Sequence, residues 1–258
     1  MLAIAGGKGG CGKTSTACGL ARALVRAGHR PLVADADVDM PDLHDRVGAT
    51  ADPGLDAIAA GAAVASVVQS DHDLEGAGIV ASGGADSPAA ALQRLALHKG
   101  PVVVDCPAGA GPDVAEAVQV ADRSVVVSTD TRASLQDAAK TAAMCRTLGT
   151  PVVCLFLRRT RGSAATRLDD DRLRRLVEAP AVIRLPADSD YLDGSMTAAV
   201  PGSGPAATSG AFEALASVVY PSVTRRESGT ESVRRDDRRP VARTADQGPV
   251  GTDLAASE

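Results

Sequence analysis

Apolar positions along the chain fall into short unbroken runs separated by longer stretches with helical periodicity. The runs Leu2–Ala5, Pro31–Ala34, Gly78–Ala81, Val102–Val104, Ser124–Ser128, Val152–Phe156 and Ala181–Leu185 predict strands. The stretches Thr14–Ala27, Gly54–Gln69, Ser87–Leu97, Asp113–Val120, Ser134–Leu148, Asp169–Glu178 and Ala207–Val219 predict helices. Strands that are apolar throughout, rather than at alternate positions, are strands covered on both faces. Alternation of strand and helix then implies right-handed crossovers. The expectation is one α/β domain, with a mostly parallel sheet flanked by helices on both faces. No internal repeat is visible.

The pattern stops after Tyr220-Pro221, which divides the chain into a domain over 1–222 and a tail over 223–258. From Thr224 to Glu258 there are seven Arg against seven Asp plus Glu, and almost nothing large and apolar. Such a segment cannot bury enough surface to offset its ordering entropy, so a solvated, disordered tail is expected. The other reading is a partner-binding segment built on Arg234, Arg235, Arg238 and Arg239.

Composition changes this picture in three places. A chain of 258 residues with 45% hydrophobic but only 2% aromatic content must build its core from Ala, Val and Leu. The 25 Asp against 7 Glu, and 23 Arg against 4 Lys, suit the acidic solvated surface of a salt-adapted cytoplasm, while GC-rich coding produces the same arginine bias. A net charge of −5 argues neither for nor against a nucleic-acid partner. Cys11, Cys18, Cys106, Cys145 and Cys154 form no C-x-x-C and no paired zinc spacing, which fits buried or loop thiols in a reducing cytosol. The first apolar run is too short for a signal peptide, and none approaches the ~18 residues of a membrane span. A cytoplasmic protein is expected.

The chemistry concentrates in "GGKGGCGKTST", Gly6 to Thr16, between the first strand and the first helix. Gly7, Gly12, Lys13 and Thr14 occupy the fixed places of the phosphate-loop pattern G-x-x-x-x-G-K-[ST]. Backbone N–H groups and the dipole of the helix start attract polyphosphate there, and Gly9, Gly10 and Gly12 let the backbone approach it. Lys13 would reach the β- and γ-phosphates, and the Thr14 hydroxyl would ligate Mg²⁺. "PLVADADVD" closes one strand with Asp35, Asp37 and Asp39, and "PVVVDCPAG" closes another with Asp105. Strand C-terminal ends are where open α/β sheets bind ligands, and carboxylates there hold Mg²⁺ through water or orient the attacking water. Asp105, after three valines, is a Walker-B-type residue; Asp39 reads better as helix-capping or solvated.

"KGGCGKT", "DADVDMPDLH" and "VVVDCPAG" together resemble the MinD/ParA group of deviant-Walker-A ATPases, a SIMIBI-type branch of the P-loop NTPases. "ADRSVVVSTDTRASLQDAAKTAAM" and the late "RLPADSD" extend the resemblance over about residues 1–220. It implies a Mg²⁺-dependent ATPase that dimerises around ATP, and it gives the extra lysine, Lys8, a role. In the family this lysine reaches across a nucleotide-sandwich homodimer to the other subunit's phosphates, as an arginine finger does. The resemblance also implies that Gly7, Lys8, Gly9, Gly10, Cys11, Gly12, Lys13, Thr14 and Ser15 surround the phosphates. Catalysis falls to Lys8, Lys13 and Asp37, the last positioning the water. Thr14, Asp35 and Asp105 serve the metal. Gly109 would offer its N–H to the γ-phosphate, and Arg158 and Pro186 belong to the nucleotide pocket. Arg158 stands where members often carry Asn or Thr before Arg, so it could stack on the base.

Four functions compete. The leading one is a MinD-like ATP switch that, with a protein partner, positions division, motility or chemosensory machinery, located in the cytoplasm or at a pole or membrane through that partner. Direct membrane docking is disfavoured, because Thr224–Glu258 lacks the apolar face of an interfacial helix. A ParA-like DNA-partition ATPase would use the seven arginines of Arg158–Arg175, although Asp169–Asp171 among them favour a salt-bridged surface. An iron–sulphur carrier of the same superfamily would use Cys106 at a dimer interface, and an ATP-dependent amide ligase would need a substrate pocket that no motif marks.

Deleting Thr224–Glu258 should leave the melting temperature and nucleotide affinity within error of the full chain, since the segment has little to pack. A fall of several degrees would show the tail docked on the domain.

Overall fold

A computed structural model describes residues 1–70, 72–159, 168–185 and 206–221. The tail over 223–258 and Pro186 lie outside the described residues. The seven apolar runs form β1 (Leu2–Gly6), β2 (Leu32–Asp35), β3 (Gly78–Val80), β4 (Val102–Ala108), β5 (Arg123–Thr129), β6 (Val152–Arg158) and β7 (Ala181–Leu185). They pair side by side in the order β3-β2-β4-β1-β5-β6-β7, every pair parallel. The sheet is wholly parallel because each strand is followed by a helical crossover that returns the chain to the same end.

The helices are α1 (Lys13–Arg26), α2 (Leu43–Val47), α3 (Leu55–Ala59), α4 (Val64–Val67), α5 (Ala89–Leu95), α6 (Pro112–Val120), α7 (Arg132–Thr147), α8 (Asp170–Val177) and α9 (Ala206–Val219). Strand side chains alternate between two cores, as the pleat requires. Leu2, Ile4, Val33, Val103, Val125 and Val127 pack under α1, α2 and α9, whereas Ala3, Ala5, Ala34, Val104 and Val126 pack under the other six helices. Both faces are dry, which is why the strands read as unbroken apolar runs.

The stretch 54–69 differs from the single helix expected of it. Gly61 adopts φ 108°, a left-handed conformation that ends α3, and Ala63 is extended before the short α4 begins. Gln69 then exchanges backbone hydrogen bonds with Ile79 at 2.9 and 3.0 Å, drawing the segment's end onto β3. The five-residue α2 was not anticipated, because one turn is too short to show periodicity. Only Leu43 and Val47, four apart, face the core.

Two phenylalanines are all that the sequence has, and they meet at a centroid distance of 5.3 Å. Phe156 of β6 and Phe212 of α9 thus pin the last helix to the sheet. Gly19 of α1 permits this: a Cβ built there would lie 2.3 Å from the Phe212 ring. We expect Gly19→Val to cost about 1–3 kcal/mol through overpacking, despite valine's better helix propensity than glycine's. In a Phe212→Leu background the same substitution should cost measurably less. Denaturant unfolding of the four proteins in this cycle checks the coupling; additive losses would show that the two positions do not compete for space.

Candidate functional site

The sheet register assembles the site. β2 and β4 pair Asp35 with Asp105, and β1 pairs Ile4 with Asp105 and then, after a shift, Gly6 with Ala108. The C-terminal ends of β1, β2 and β4 therefore lie side by side, with the loop 7–12 rising from β1 into α1. Gly10 and Gly12 have φ of 74° and 100°. A side chain at either would be strained there, and no atom lies within 4 Å of a Cβ built on Gly9 or Gly10. Gly12 caps α1 with no side-chain hydrogen bond, and no acid occupies the first turn. The first amides of α1 are thus left for a ligand.

A cleft of about 270 Å³ opens over this loop, lined by Gly9, Gly10, Gly12, Lys13, Thr14, Ser15, Asp37, Met40, Asp42, Arg46, Ala108 and Arg158. Lys13 is only 8% exposed, and among the described residues no carboxylate forms an ion pair with it. A buried ammonium without a counterion is costly, so the arrangement calls for an anion beside it. Asp105 is buried, and its Oδ1 has no hydrogen-bond partner. Burial first, then the neighbouring Asp35 charge, push its carboxyl well above the ordinary carboxylate range, while the Thr14 hydroxyl and Lys13 oppose this. Asp35 is pushed up to about 6 by burial, although the Leu43 and Asp37 N–H groups pull it down. Those amides donate to its Oδ2 at 3.1 Å and its Oδ1 at 3.0 Å. Asp35 thereby fastens both ends of the loop 37–43 to the sheet edge.

Asp37 is half-buried on the cleft wall, and its Oδ1 accepts the Met40 N–H at 3.0 Å. Asp39 is exposed, and Asp42, not Asp39, precedes α2. Arg158 brings its aliphatic chain to 3.9 Å from a Cβ built on Gly12, at the end of β6. Lys8 is exposed and stands outside the cleft lining. Gly7 is also outside it: a Cβ there would lie 2.6 Å from the Asp137 backbone of α7, so the loop's first residue is a packing position. Cys11 points inward, 3% exposed, its thiol pushed up by burial, which leaves only its backbone for phosphate. Gly109, φ 102°, donates its N–H to Gly6 O at 3.0 Å, so offering that N–H to a phosphate requires exchanging this bond.

Met40, Asp42, Arg46 and Ala108 are cleft residues that sequence reasoning did not single out. Asp42 and Arg46 carried one signal, opposite charges four apart, which pair at 2.9 Å once α2 forms.

Among the described residues no group of three His, Cys, Asp or Glu is arranged to hold a metal by itself. What is present suits a hydrated cation shared with a phosphate: one hydroxyl, Thr14, beside an unpartnered carboxylate oxygen, Asp105 Oδ1. The iron–sulphur reading loses its residue. Cys106 is 1% exposed within the core under α6 and α7, where it cannot meet a second subunit. No helix among the described residues is long and apolar enough to cross a membrane.

Residues 2–195 match the profile of the CobQ/CobB/MinD/ParA nucleotide binding domain. The chain is 30% identical over 204 residues to an uncharacterized ATP-binding protein of Methanocaldococcus jannaschii, covering 72% of this chain and 74% of that one. It is 28% identical over 158 residues to the antiactivator FleN of Pseudomonas aeruginosa, 54% of this chain and 53% of that one. Among solved structures, the septum site-determining protein MinD with Mg-ADP from Pyrococcus horikoshii superposes with a TM-score of 0.69 at 22% identity, covering 90% of this chain and 98% of that one. The likeness to that structure is one of fold.

The raised Asp105 carboxyl has a consequence for the ligand-free protein. Unfolded, it titrates near its ordinary value of 3.8; folded, it holds its proton to higher pH. The native state therefore binds more protons in between, and stability falls as pH rises through that window. Asp105→Asn should melt above wild type at pH 8 in EDTA, with the gap closing as pH falls toward 4. A gap independent of pH would show that the folded carboxyl titrates normally.

Proposed function

The chain belongs to the CobQ/CobB/MinD/ParA nucleotide-binding family, and from that premise we propose that it is an ATP-hydrolysing switch that dimerises on its nucleotide. The observation that carries this reading is Lys13, buried with no ion pair among the described residues, beside a glycine cradle and a carboxylate oxygen, Asp105 Oδ1, that has no hydrogen-bond partner among them. ATP supplies the anion that Lys13 lacks. The amides of Gly10 to Ser15 hold its phosphates, and the Arg158 side chain, alongside Gly12, meets the nucleoside end of the cleft.

A bound Mg²⁺ would supply positive charge against the triphosphate. The Thr14 hydroxyl would be the direct protein ligand of the cation, and Asp105, supported by Asp35, would hold it through water. Asp37 orients the attacking water. One of its oxygens is held by the Met40 N–H, and the other has no partner among the described residues. Lys8, exposed at the loop's tip, stabilises the transferred phosphoryl of the opposite subunit. A cation supplied from the partner makes hydrolysis wait for dimerisation, which is what makes the protein a switch. The Gly109 N–H leaves Gly6 O for the γ-phosphate and so distinguishes triphosphate from diphosphate.

The switch positions cellular machinery with a protein partner, by analogy with relatives such as the septum site-determining protein MinD of Synechocystis, 25% identical over 152 residues. A DNA matrix is less favoured. In α8, Arg174 of the cluster pairs with Asp171, so one of its arginines is already neutralised, while Asp170 is taken by Arg184 of β7; Arg161 and Arg167 lie outside the described residues.

The test is complementation. Lys13→Ala should lose Mg-ATP binding. Lys8→Ala and Asp37→Ala should each bind ATP yet hydrolyse it poorly. Mixed in equal amounts, they should recover about a quarter of wild-type turnover, because random pairing makes half the dimers mixed and one site in each is complete. A lysine acting on its own nucleotide predicts no recovery when heterodimers are demonstrated, and that result would refute the assignment of Lys8.

A further inference from the structure

The cleft contains a clip between α1 and α2 that the reading above does not use. Asp42 accepts the Thr14 hydroxyl on Oδ1 at 2.9 Å and Arg46 Nη2 on Oδ2 at 2.9 Å. Nη1 of the same guanidinium reaches Ser15 Oγ at 3.5 Å. Two consecutive residues of the phosphate loop's helix are thus tied to the residue that caps α2 and to one a turn later within it. The Asp42–Arg46 pair is partly exposed, with side-chain exposures of 49% and 25%, so its own contribution to stability is small. Its interest lies in what it does to Thr14.

A hydroxyl that ligates a cation uses a lone pair, and its proton must then point elsewhere. Two carboxylates stand near Thr14. Asp105 is one, and a hydroxyl turned toward it would occupy the acceptor that a hydrated cation needs. The structure gives the proton to Asp42 at 2.9 Å and leaves Asp105 Oδ1 without a hydrogen-bond partner among the described residues, although the Thr14 hydroxyl stands close enough to Asp105 to lower its proton affinity. An anionic acceptor also makes the Thr14 oxygen a better donor of electron density, as outer carboxylates do for histidine ligands. Arg46 holds Asp42 from its far side and neutralises it, in a site that already carries Asp35, Asp37 and Asp105.

Resting on the reading of this cleft as a Mg-nucleotide site, we propose that Asp42 is a positioning residue that fixes the Thr14 hydroxyl for the metal and keeps Asp105 open, with Arg46 locking it in place. The pair would then set the Mg²⁺ affinity of the nucleotide complex rather than the affinity for nucleotide itself.

The experiment titrates Mg²⁺ into protein saturated with a fluorescent ADP, after measuring ADP affinity in EDTA. Asp42→Ala should bind ADP in EDTA at least as well as wild type, because an acid near an anion has been removed. Its half-saturating Mg²⁺ should rise roughly tenfold, the usual scale for losing an outer-shell partner. Asp42→Asn, whose carbonyl oxygen still accepts from Thr14, should rise less, and Arg46→Met, which loosens Asp42, should shift in the same direction. In a Thr14→Val background, Asp42→Ala should add nothing. An unchanged Mg²⁺ titration in Asp42→Ala with normal ADP binding overturns the inference and leaves the nucleotide reading standing. Equal losses in EDTA and in Mg²⁺ also overturn it, marking the clip as structural. Failure of the wild type to bind ADP at all would overturn the nucleotide reading instead.

Discussion

Parallel pairing of β2, β4 and β1 forces Asp35, Asp105 and the phosphate loop onto one buried edge, and the chemistry follows from that compression. Taken alone the edge is unfavourable: two carboxyls lie in a low-dielectric setting, one of them with an oxygen that has no hydrogen-bond partner, next to an ammonium with no ion-pair partner among the described residues. The wings of the fold supply the offset. Two apolar cores of Val, Leu and Ala sandwich the sheet, so the strand ends can carry charge that the strand middles could not. Groups held this way are matched to a charged ligand rather than to water.

Much of the architecture was legible because a doubly covered parallel sheet has a distinctive sequence pattern. Each strand is apolar at every position, and each crossover helix is long enough to show its period. Legibility failed where elements are shorter than one period. Leu43–Val47 has two core contacts, and Leu55–Val67 is divided by a glycine whose φ the pattern does not reveal. β4 runs on through Asp105, Cys106 and Pro107 to Ala108, past the point where its valines end, because pairing with β1 continues to Gly6.

The site divides along the same line. Lys13, Thr14, Asp35, Asp37 and Asp105 sit at motif positions that local sequence marks. Asp42 and Arg46 do not, since their role depends on α2 docking beside α1. Spacing alone also could not say which face of the loop a residue presents. Cys11 lies inside the motif but turns its thiol into the core, while Gly7 is needed for contact with α7. Thr141 of α7 in turn donates to Gly109 O at 3.4 Å, so the loops after β1 and β4 both rest on that helix.

All five cysteines are buried and free, and burial raises each thiol's proton affinity. Thiolate is the reactive form, so the folded chain offers electrophiles almost nothing at neutral pH. The native protein is thereby a blank surface for thiol chemistry. A single cysteine placed on an exposed position such as Asp39 could carry a spectroscopic label with no native residue removed, and any slow labelling elsewhere would report transient opening of the core.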